Sequence, residues 1–392
     1  MGSWCPMFHI SGEKEILEGE ITDVYFNRTL QILKEKEINP WVKAEFVAKS
    51  LPEEWAWAVF TGFEEIIHLL MDLPIKVRAM KEGAVFYPHQ PVLEIEGYYK
   101  DFCIYETAIL GLMCQATGIA TKAARYKKLA GDRLLMSFGA RRMHPVIAPM
   151  IERSAFIGGC DGVSVIKGGE IIGEDPLGTI PHALILCIGS TVDSVKAFDE
   201  VIGPDVNRVA LIDTFNDEKF ECLNVAEAMG EKLYAVRFDT PSSRRGDFQH
   251  ILQEARWELD LRGFGGVKFF VSGGIKEEEI PGLNPLVDAY GIGTSISNAP
   301  VVDFSMDIVE VDGTPLAKRG KCSGAKKVLR CQECHEDLIL PVNQEMGQCK
   351  CGGSYLNLLQ PLKDNWNIDY DLPEPGEIRN YVLEQIKHLP DL

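Results

Sequence analysis

Carboxylates that directly follow short apolar segments are the first residues in this chain with the potential for chemistry. Asp213 and Asp239 each end such a segment in the middle of the sequence. A carboxylate in that position could bind the hydroxyl groups of a sugar, or Mg²⁺. Capping of a helix N-terminus is an alternative role, and the residues after Asp213 suit it equally well.

Two glycine-rich turns follow apolar segments further along the chain. The first is Ser272-Gly273-Gly274 and the second is Gly293-Thr294. Backbone N–H groups that such turns leave free could bind a phosphate. A single Gly-Gly pair indicates little more than turn geometry, but two such turns in succession favour a phosphate site.

A third group combines an aromatic ring with basic side chains. Phe138 precedes Arg141 and Arg142, and Arg237 lies in a later apolar segment. An aromatic ligand with a carboxylate would suit this set, because its ring can stack on Phe138 and a guanidinium can pair with the carboxylate. Taken singly, each arginine could equally form a surface ion pair. His182 starts an apolar run, where a core histidine is the simpler interpretation.

Four cysteines near the end of the chain have the spacing of a metal site. Cys331-x2-Cys334 is followed after 14 residues by Cys349-x-Cys351, an arrangement that suits a tetrahedral zinc ion. His335 could replace one thiolate. Four protein ligands leave no open position, so we expect a structural zinc ion. The remaining cysteines, Cys5 among them, are scattered along the sequence, which is typical of cysteines that stay reduced.

Composition limits the function classes. The chain has 392 residues and a formal net charge of −18, from 40 Lys and Arg against 58 Asp and Glu. So acidic a surface repels nucleic acid and anionic membranes, which favours small-molecule chemistry. No uninterrupted apolar run approaches the ~18 residues of a membrane-spanning helix, and the first residues do not resemble a secretory signal. We therefore expect a cytoplasmic protein.

Hydrophobic patterning predicts three parts. Residues 1–131 form a mixed α+β domain, residues 132–300 alternate short strands with helices, and residues 301–392 contain the cysteine segment 328–356 and a terminal helix. The alternation predicts a parallel sheet or barrel, whose active site would form at the carboxyl ends of its strands. The predicted strands are 134–138, 163–166, 208–213, 233–239, 267–272 and 289–294.

Eight short motifs occur in the order found in nicotinate phosphoribosyltransferases, a type II phosphoribosyltransferase family that the chain resembles from about residue 23 to residue 326. No single motif is decisive, but eight in register are specific. They are Thr22-Asp23-Val24-Tyr25-Phe26, Phe138-Gly139-Ala140-Arg141-Arg142, Gly158-Gly159-Cys160-Asp161-Gly162, Gly178-Thr179-x-x-His182, Asp213-Thr214, Arg237-Phe238-Asp239-Thr240, Ser272-Gly273-Gly274 and Gly291-Ile292-Gly293-Thr294.

The resemblance implies a fold and a reaction. The implied fold is an irregular α/β barrel with an N-terminal α+β domain, to which the cysteine segment adds a small zinc-binding module. The implied reaction joins nicotinate to phosphoribosyl pyrophosphate, giving nicotinate mononucleotide for NAD synthesis and releasing pyrophosphate. Mg²⁺ would accompany the phosphoribosyl donor, ATP would be a co-substrate, and two subunits of a homo-oligomer would share each active site.

The resemblance also implies roles for matching positions. Phe138 and Tyr25 would hold the pyridine ring between them, with Tyr25 from a second subunit. Arg141 and Arg237, with Thr179, would orient the ring and the sugar. The implied phosphate-binding residues are Gly273, Gly274, Gly293 and Thr294, with Ser272 in the same substrate-binding turn.

Three further roles follow from the same resemblance. Asp213 and Asp239 would bind the ribose or Mg²⁺. His182 matches the histidine that many relatives phosphorylate from ATP to drive the reaction toward product.

Other interpretations stay open. A nicotinamide phosphoribosyltransferase could use Asp161 to accept hydrogen bonds from the amide, and a quinolinate phosphoribosyltransferase would need a more basic pocket for two carboxylates. From a different class, the zinc module and its basic neighbours could form an arm that binds nucleic acid or protein. The basic residues of that arm are Lys318, Arg319, Lys321, Lys326, Lys327 and Arg330.

Overall fold

The structure, a computed structural model, describes residues 7–368 and 371–392, so Cys5 lies outside the described residues. The chain forms two compact units. Unit 1 combines Met1–Thr121 with Pro300–Leu389, and unit 2 combines Lys122–Ala299 with Pro390–Leu392. Most of the predicted C-terminal part therefore shares a unit with the N-terminal part, and the division into three domains stays a prediction.

The strands fall into an early, a middle and a late group. The early strands are β1 (Trp41–Ala48), β2 (Ala58–Val59), β3 (Ile75–Ala79), β4 (Val85–Phe86) and β5 (Pro91–Tyr98). The middle strands are β6 (Leu134–Ser137), β7 (Gly162–Val163), β8 (Arg208–Leu211), β9 (Leu233–Phe238), β10 (Lys268–Val271) and β11 (Ala289–Ile292). The late strands are β12 (Phe304–Val311), β13 (Thr314–Pro315), β14 (Lys326–Cys331), β15 (Asp337–Pro341), β16 (Tyr355–Asn357), β17 (Gln360–Asn365) and β18 (Asn367–Ile368).

The α-helices alternate with the strands most regularly in unit 2. Those before β6 are α1 (Glu13–Leu17), α2 (Val24–Glu35), α3 (Phe63–Leu70), α4 (Tyr99–Phe102) and α5 (Glu106–Ala130). Those between β6 and β12 are α6 (Ala148–Ile157), α7 (Ile166–Ile172), α8 (His182–Ile188), α9 (Thr191–Val201), α10 (Glu218–Met229), α11 (Ser242–Arg245), α12 (Phe248–Leu261), α13 (Ile280–Leu283) and α14 (Thr294–Ser297). The terminal helix is α15 (Pro375–Lys387).

Unit 1 is built on a seven-stranded sheet with the order β13-β12-β1-β5-β3-β17-β18. Its neighbouring strands pair antiparallel. Alternate side chains of β1, such as Ala44 and Phe46, enter one hydrophobic core with Phe63 and Ile66 of α3, as period-two alternation requires. Because β1 pairs with β12, the chain after residue 300 is part of this unit.

Unit 2 is built on six parallel strands in the order β7-β6-β11-β10-β9-β8. Five of the six strands predicted for this region are confirmed, with ends that differ by at most two residues. The sheet curls as a half-barrel, which confirms the predicted α/β barrel class. Among the described residues no hydrogen-bonded pair joins β7 to β8, so the barrel is open rather than closed.

The predicted strand 163–166 is wrong in its second half. The strand ends at Val163, and Ile166 already begins α7. The backbone N–H groups of Ser164 and Val165 donate to a carboxylate oxygen of Glu152, at 2.6 and 3.3 Å, instead of to a neighbouring strand. An apolar run alone cannot reveal such a side-chain partner.

One helical stretch, Tyr99–Ala130, is long and apolar enough to cross a membrane by length and composition alone. Half of its most apolar 18-residue window is buried, and Ile109 and Met113 within it belong to the core of unit 1. Burial of this kind is typical of a core helix. No uninterrupted apolar run of this length was expected, because threonines, glycines and a glutamine separate the apolar residues of Tyr99–Ala130.

Candidate active site

A cavity of about 730 Å³ lies at the carboxyl ends of the strands of unit 2. Phe138 follows β6, Asp239 follows β9, Ser272 follows β10 and Gly293 follows β11, and all four line this cavity. Parallel strands place their carboxyl ends at one edge of the sheet, which is where such folds hold their ligands. These four strand-end residues thus share one cavity, whereas Asp213, the strand-end carboxylate after β8, is not among its lining residues.

Arg237 is the side chain that connects the walls of the cavity. Its Nε donates to Ser272 Oγ at 3.0 Å and its Nη1 donates to Thr179 Oγ1 at 2.8 Å. Its Nη2 lies 3.0 Å from Asp239 Oδ2. With every guanidinium nitrogen engaged, Arg237 orients its neighbours rather than offering a free fork to a ligand.

The ring of Phe138 forms an aromatic platform. The Arg237 guanidinium carbon lies 5.3 Å from the centre of the ring, within cation–π range, and the Phe270 ring lies 5.6 Å away. Gly291 permits this position, because a Cβ there would lie 2.7 Å from the Phe138 ring. A flat aromatic ligand is the natural partner for such a surface.

Two turns with free backbone donors form another wall of the cavity. Gly273 and Gly274 have φ values of +89° and +82°, and Ile275 follows them. Among the described residues, the backbone N–H groups of Gly273, Gly274 and Ile275 have no hydrogen-bond acceptor, and the same holds for Thr294 and Ser295 at the start of α14. Unpaired N–H groups on two turns that line one cavity are suited to bind an anion such as a phosphate.

His182 and Asp213 form a pair at the edge of the cavity. Nε2 of His182 lies 3.1 Å from Oδ1 of Asp213. The Asp213 side chain is 6% exposed and the His182 side chain is 42% exposed, and only His182 lines the cavity. Burial raises the pKa of the Asp213 carboxyl, and the neighbouring His182 opposes that rise. Asp213 therefore lies behind the histidine and orients it.

Asp239 is the carboxylate that lines the cavity itself. Besides Arg237, it accepts a hydrogen bond from Ser272 Oγ at 2.6 Å. Carboxylate oxygens are the ligands that Mg²⁺ prefers, so the chemistry of Asp239 fits a cation that accompanies phosphates. The neighbouring Thr240 donates to Glu218, which holds the start of this loop.

Two arginines in the cavity wall have guanidinium groups with no hydrogen-bond or ion-pair partner among the described residues. Arg141 and Arg142 form a short 3₁₀ turn after Phe138, are exposed and line the cavity. They are the cations available to a ligand carboxylate. Asp161 does not line the cavity: it lies 2.9 Å from Lys127 Nζ and accepts from the Leu135 N–H at 2.8 Å.

Some residues were not recognised in the sequence. Ser164, Ser242 and Ser295 also line the cavity. Ser295 follows Thr294, so a stricter use of the strand-end rule would have found it. Ser164 directly follows β7 but lies inside the predicted strand 163–166, so that rule could not find it. Tyr25 belongs to unit 1, on α2, where its side chain is 55% exposed and its ring lies 4.3 Å from that of Phe26.

A second cavity, of about 830 Å³, lies at the amino ends of β8 and β9. Arg208 lies in it, but its guanidinium donates to Asp199 and to the carbonyl groups of Ile202, Gly203 and Val206. These bonds close the end of α9 and leave no free donor. Size alone therefore does not make this cavity the functional site.

The four cysteines of the C-terminal segment come together in unit 1. The Sγ atoms of Cys331, Cys334, Cys349 and Cys351 all lie within 4.8 Å of one another. Two of the separations are 3.4 and 3.6 Å, close to the spacing of about 3.8 Å expected around a tetrahedral zinc ion with Zn–S bonds of about 2.3 Å.

The backbone around this cluster favours thiolates. The N–H of Cys351, and then the hydroxyl of Tyr355, lower the pKa of Cys349 to about 6. The N–H of Cys334 likewise lowers the pKa of Cys331. Although a backbone N–H opposes the change in each case, hydrogen bonds with the other cysteines raise the pKa of Cys334 to about 12 and also raise that of Cys351. The close approach of the four Sγ atoms is therefore the observation that suits a metal ion, which binds cysteine as the thiolate.

The basic residues before the cluster are largely paired within unit 1. Lys318 Nζ lies 2.6 Å from Asp307, and Lys321 pairs with the same carboxylate. Lys326 lies 2.8 Å from Glu45. Arg330 makes a two-pronged contact with Asp337, at 2.8 and 2.7 Å. Such internal pairing weakens the case for a nucleic-acid-binding arm.

Comparison with known proteins finds phosphoribosyltransferases among the proteins to which this chain is similar. The sequence matches the family described as "Quinolinate phosphoribosyl transferase, N-terminal domain" over residues 23–117 and its "C-terminal domain" over residues 119–307. A nicotinate phosphoribosyltransferase of Mycobacterium tuberculosis is 32% identical over 265 residues. That match covers 64% of this chain, and the chain spans only 57% of the length of the relative.

Solved structures extend the comparison to the whole chain. The crystal structure of "nicotinate-nucleotide pyrophosphorylase from Pyrococcus furiosus" has a TM-score of 0.96 and is 52% identical, over 98% of this chain and 99% of its own. A human nicotinic acid phosphoribosyltransferase has a TM-score of 0.76 at 18% identity, over 94% of both chains. At that identity the human protein supports the fold alone.

Proposed function

Because this chain belongs to the quinolinate phosphoribosyl transferase family, we propose that it is a nicotinate phosphoribosyltransferase that joins nicotinate to phosphoribosyl pyrophosphate. The observation that carries this proposal is the cavity at the strand ends. The two turns with free backbone N–H groups line this cavity together with Phe138 and Arg141. Those groups suit the phosphate, the aromatic ring and the carboxylate of the two substrates.

The reaction depends on position and charge. Loss of pyrophosphate leaves a sugar with cationic character, and the ring nitrogen of nicotinate attacks it from the opposite face, so no protein nucleophile on carbon is needed. Phe138 would hold the ring, and Arg141 or Arg142 would pair with its carboxylate. Asp239 would hold Mg²⁺, which when bound neutralises charge on the leaving pyrophosphate.

ATP would act through His182. Since Asp213 accepts from Nε2–H, the lone pair of the imidazole lies on Nδ1. That nitrogen would attack the terminal phosphorus of ATP, forming an N–P bond as the P–O bond to ADP breaks. Water would later return the free histidine and phosphate. ATP use thus rests on Nδ1 of His182, and base binding does not require it.

Quinolinate is a second candidate substrate, because the matching family carries its name. Quinolinate has two carboxylates, and each guanidinium nitrogen of Arg237 already contacts Ser272, Thr179 or Asp239. The adjacent Arg141 and Arg142 would then have to pair with both carboxylates of quinolinate but with only one of nicotinate, which makes nicotinate the simpler fit. Nicotinamide is disfavoured, because Asp161 is held by Lys127 outside the cavity.

One experiment tests this choice. The protein is incubated with phosphoribosyl pyrophosphate and nicotinate, quinolinate or nicotinamide, with and without ATP, and mononucleotide is measured. We expect nicotinate to give at least tenfold more product than either competitor. Faster product formation from quinolinate, with release of CO₂, would overturn the proposal in favour of the second candidate.

We propose that the cysteine cluster binds a structural zinc ion, that the protein works in the cytoplasm, and that it forms a homo-oligomer in which Tyr25 of one subunit completes a neighbour's site. The exposed Tyr25 side chain supports the last point. Sedimentation of the wild-type protein and of Tyr25→Ala compares their assembly, and nicotinate binding is compared in the same two proteins. Together the two comparisons test whether Tyr25 affects binding without affecting assembly.

A further inference from the structure

The hydroxyl of Tyr126 is a buried polar group of unit 2 that none of the chemistry above uses. Tyr126 lies near the end of α5 and is 1% exposed. Its hydroxyl donates to the carbonyl of Ile275 at 3.1 Å. Ile275 directly follows Gly273 and Gly274, so this bond holds the end of the first phosphate turn.

Burial raises the pKa of the Tyr126 hydroxyl. The hydroxyl therefore stays protonated and remains a hydrogen-bond donor to the carbonyl of Ile275.

Neighbouring residues of α5 hold the chain just beyond the first turn. Lys122 Nζ lies 2.8 Å from Glu277 Oε1, and Arg125 Nη2 lies 2.7 Å from Glu277 Oε2. Although burial alone raises the pKa of Glu277, hydrogen bonds from Arg125 and Lys122 lower it overall. The last turns of α5 thus contact the chain at residues 275 and 277.

The turns themselves supply little of this rigidity. The backbone N–H groups of Gly273, Gly274 and Ile275 have no acceptor among the described residues. Gly274 also has no heavy atom within 4 Å of the place where a Cβ would stand. Two glycines at positive φ with no hydrogen bonds of their own need an outside contact to keep one conformation.

We propose that Tyr126 is a positioning residue that holds the first phosphate turn, Gly273-Gly274-Ile275, in the conformation that binds a phosphate group. This inference rests on the proposed function, because a phosphate ester is the ligand that the turn would receive. Tyr126 is not among the residues that line the cavity. It acts through Ile275, and its loss affects the phosphate-bearing substrate rather than the pyridine base.

The test compares Tyr126→Phe with Tyr290→Phe. Tyr290 is a matched control, because it is fully buried in the same unit and its hydroxyl contacts Ile280 O and Asn284 Oδ1, at 3.3 and 2.8 Å, and neither turn. Each variant loses one buried hydroxyl without losing a ring. Ribose 5-phosphate binding is measured by calorimetry, and KM values for phosphoribosyl pyrophosphate and nicotinate are measured from initial rates.

We expect Tyr126→Phe to bind ribose 5-phosphate about three- to tenfold more weakly, the usual effect of one buried hydrogen bond, with a matching rise in the KM for phosphoribosyl pyrophosphate. Its KM for nicotinate should stay within about twofold of the wild type. Tyr290→Phe should leave both KM values unchanged, even if its melting temperature falls as much as that of Tyr126→Phe. The inference is wrong if the two variants show the same ribose 5-phosphate affinity and the same KM values. It is also wrong if, in Tyr126→Phe, the KM for nicotinate rises as much as the KM for phosphoribosyl pyrophosphate.

The same measurements separate this inference from the proposed function. A wild-type protein that forms mononucleotide, together with a Tyr126→Phe variant of unchanged phosphate affinity, overturns the inference alone. A wild-type protein that binds ribose 5-phosphate but forms no mononucleotide from any pyridine base overturns the proposed function. In that case a selective loss of ribose 5-phosphate binding in Tyr126→Phe still supports the positioning role.

Discussion

His182 and Asp213 meet with 3.1 Å between the imidazole Nε2 and the carboxylate Oδ1, and only the histidine faces the cavity. In Asp213→Asn, the amide of the new side chain can donate to Nε2 of His182 instead of accepting from it. The ring proton then moves to Nδ1, so Nδ1 no longer has the lone pair that would attack ATP. We expect acid-labile labelling from ATP to fall about 100-fold, with nicotinate affinity unchanged. Asp193→Asn, on the exposed face of α9, is the control.

Equal labelling of Asp213→Asn and wild type would show that Asp213 does not set the tautomer. Labelling of His182→Ala at the wild-type level would remove His182 from the ATP reaction altogether.

Arg237 should not tolerate lysine. The lysine keeps a positive charge but cannot reach Thr179, Ser272 and Asp239 at once, because an ammonium lacks the planar fork. We expect kcat/KM for Arg237→Lys to fall about 10- to 100-fold, measured by initial rates with both substrates. Arg262→Lys, in an exposed ion pair with Glu258, should change it less than twofold. Comparable activities in the two variants would contradict the connecting role of Arg237.

The two glycines of the first phosphate turn should differ in their tolerance of alanine. A Cβ at Gly273 would lie 2.7 Å from the carbonyl oxygen of Asp239, whereas one at Gly274 would meet nothing within 4 Å. Both positions carry the strain of a positive φ, about 1 kcal/mol, but only Gly273→Ala also displaces backbone. We expect urea unfolding to show Gly273→Ala less stable than Gly274→Ala by about 1–2 kcal/mol. Equal losses would mean that φ alone decides.

Glu106 provides a pH-dependent stability in unit 1. Burial raises its pKa to about 7, with Asp307 and Asp23 adding to the rise and Lys318 opposing it. Because the folded pKa lies above the unfolded one, the stability from the neutral carboxyl is fully present below about pH 4.5 and is lost as the pH rises through 7.

Glu106→Gln stays neutral at every pH. Relative to wild type we therefore expect little change in the free energy of unfolding at pH 5 and a gain of about 1–2 kcal/mol at pH 8, after allowance for screening of a partly exposed group. Urea titrations at both pH values measure it, with the exposed Glu35→Gln as control. A gain that is the same at both pH values would exclude titration as its cause.

Zinc should be present and structural. Native mass spectrometry should find one zinc ion per chain, and Cys331→Ser should lose it, since three thiolates bind zinc far more weakly than four. The melting temperature should fall with zinc content, as it should on treatment with a chelator. Cys322→Ser, an exposed cysteine outside the cluster, should keep its zinc. A zinc-free wild-type protein with an unchanged melting temperature would refute the metal site.

Local patterns in the sequence predicted the parallel strands and the residues that follow them. Phe138, Asp239 and Ser272 were found because a strand end is a local feature that runs of apolar residues reveal. The pairing of His182 with Asp213 was not found, because it depends on where two loops 31 residues apart come to lie. Tyr126 gave no signal for the same reason: on a helix, a buried tyrosine looks like any core residue.

The ladder between β1 and β12 has a consequence for the order in which the chain can fold during its synthesis. Phe46 lies opposite Met306 in this ladder, so β1, an inner strand of the unit 1 sheet, has no partner on this side until more than 300 residues have left the ribosome. Residues 122–299 are complete before that point and can fold as a unit. The nascent N-terminal segment must therefore wait with one edge of β1 unpaired, a state exposed to aggregation that a translational pause after residue 300 would prolong.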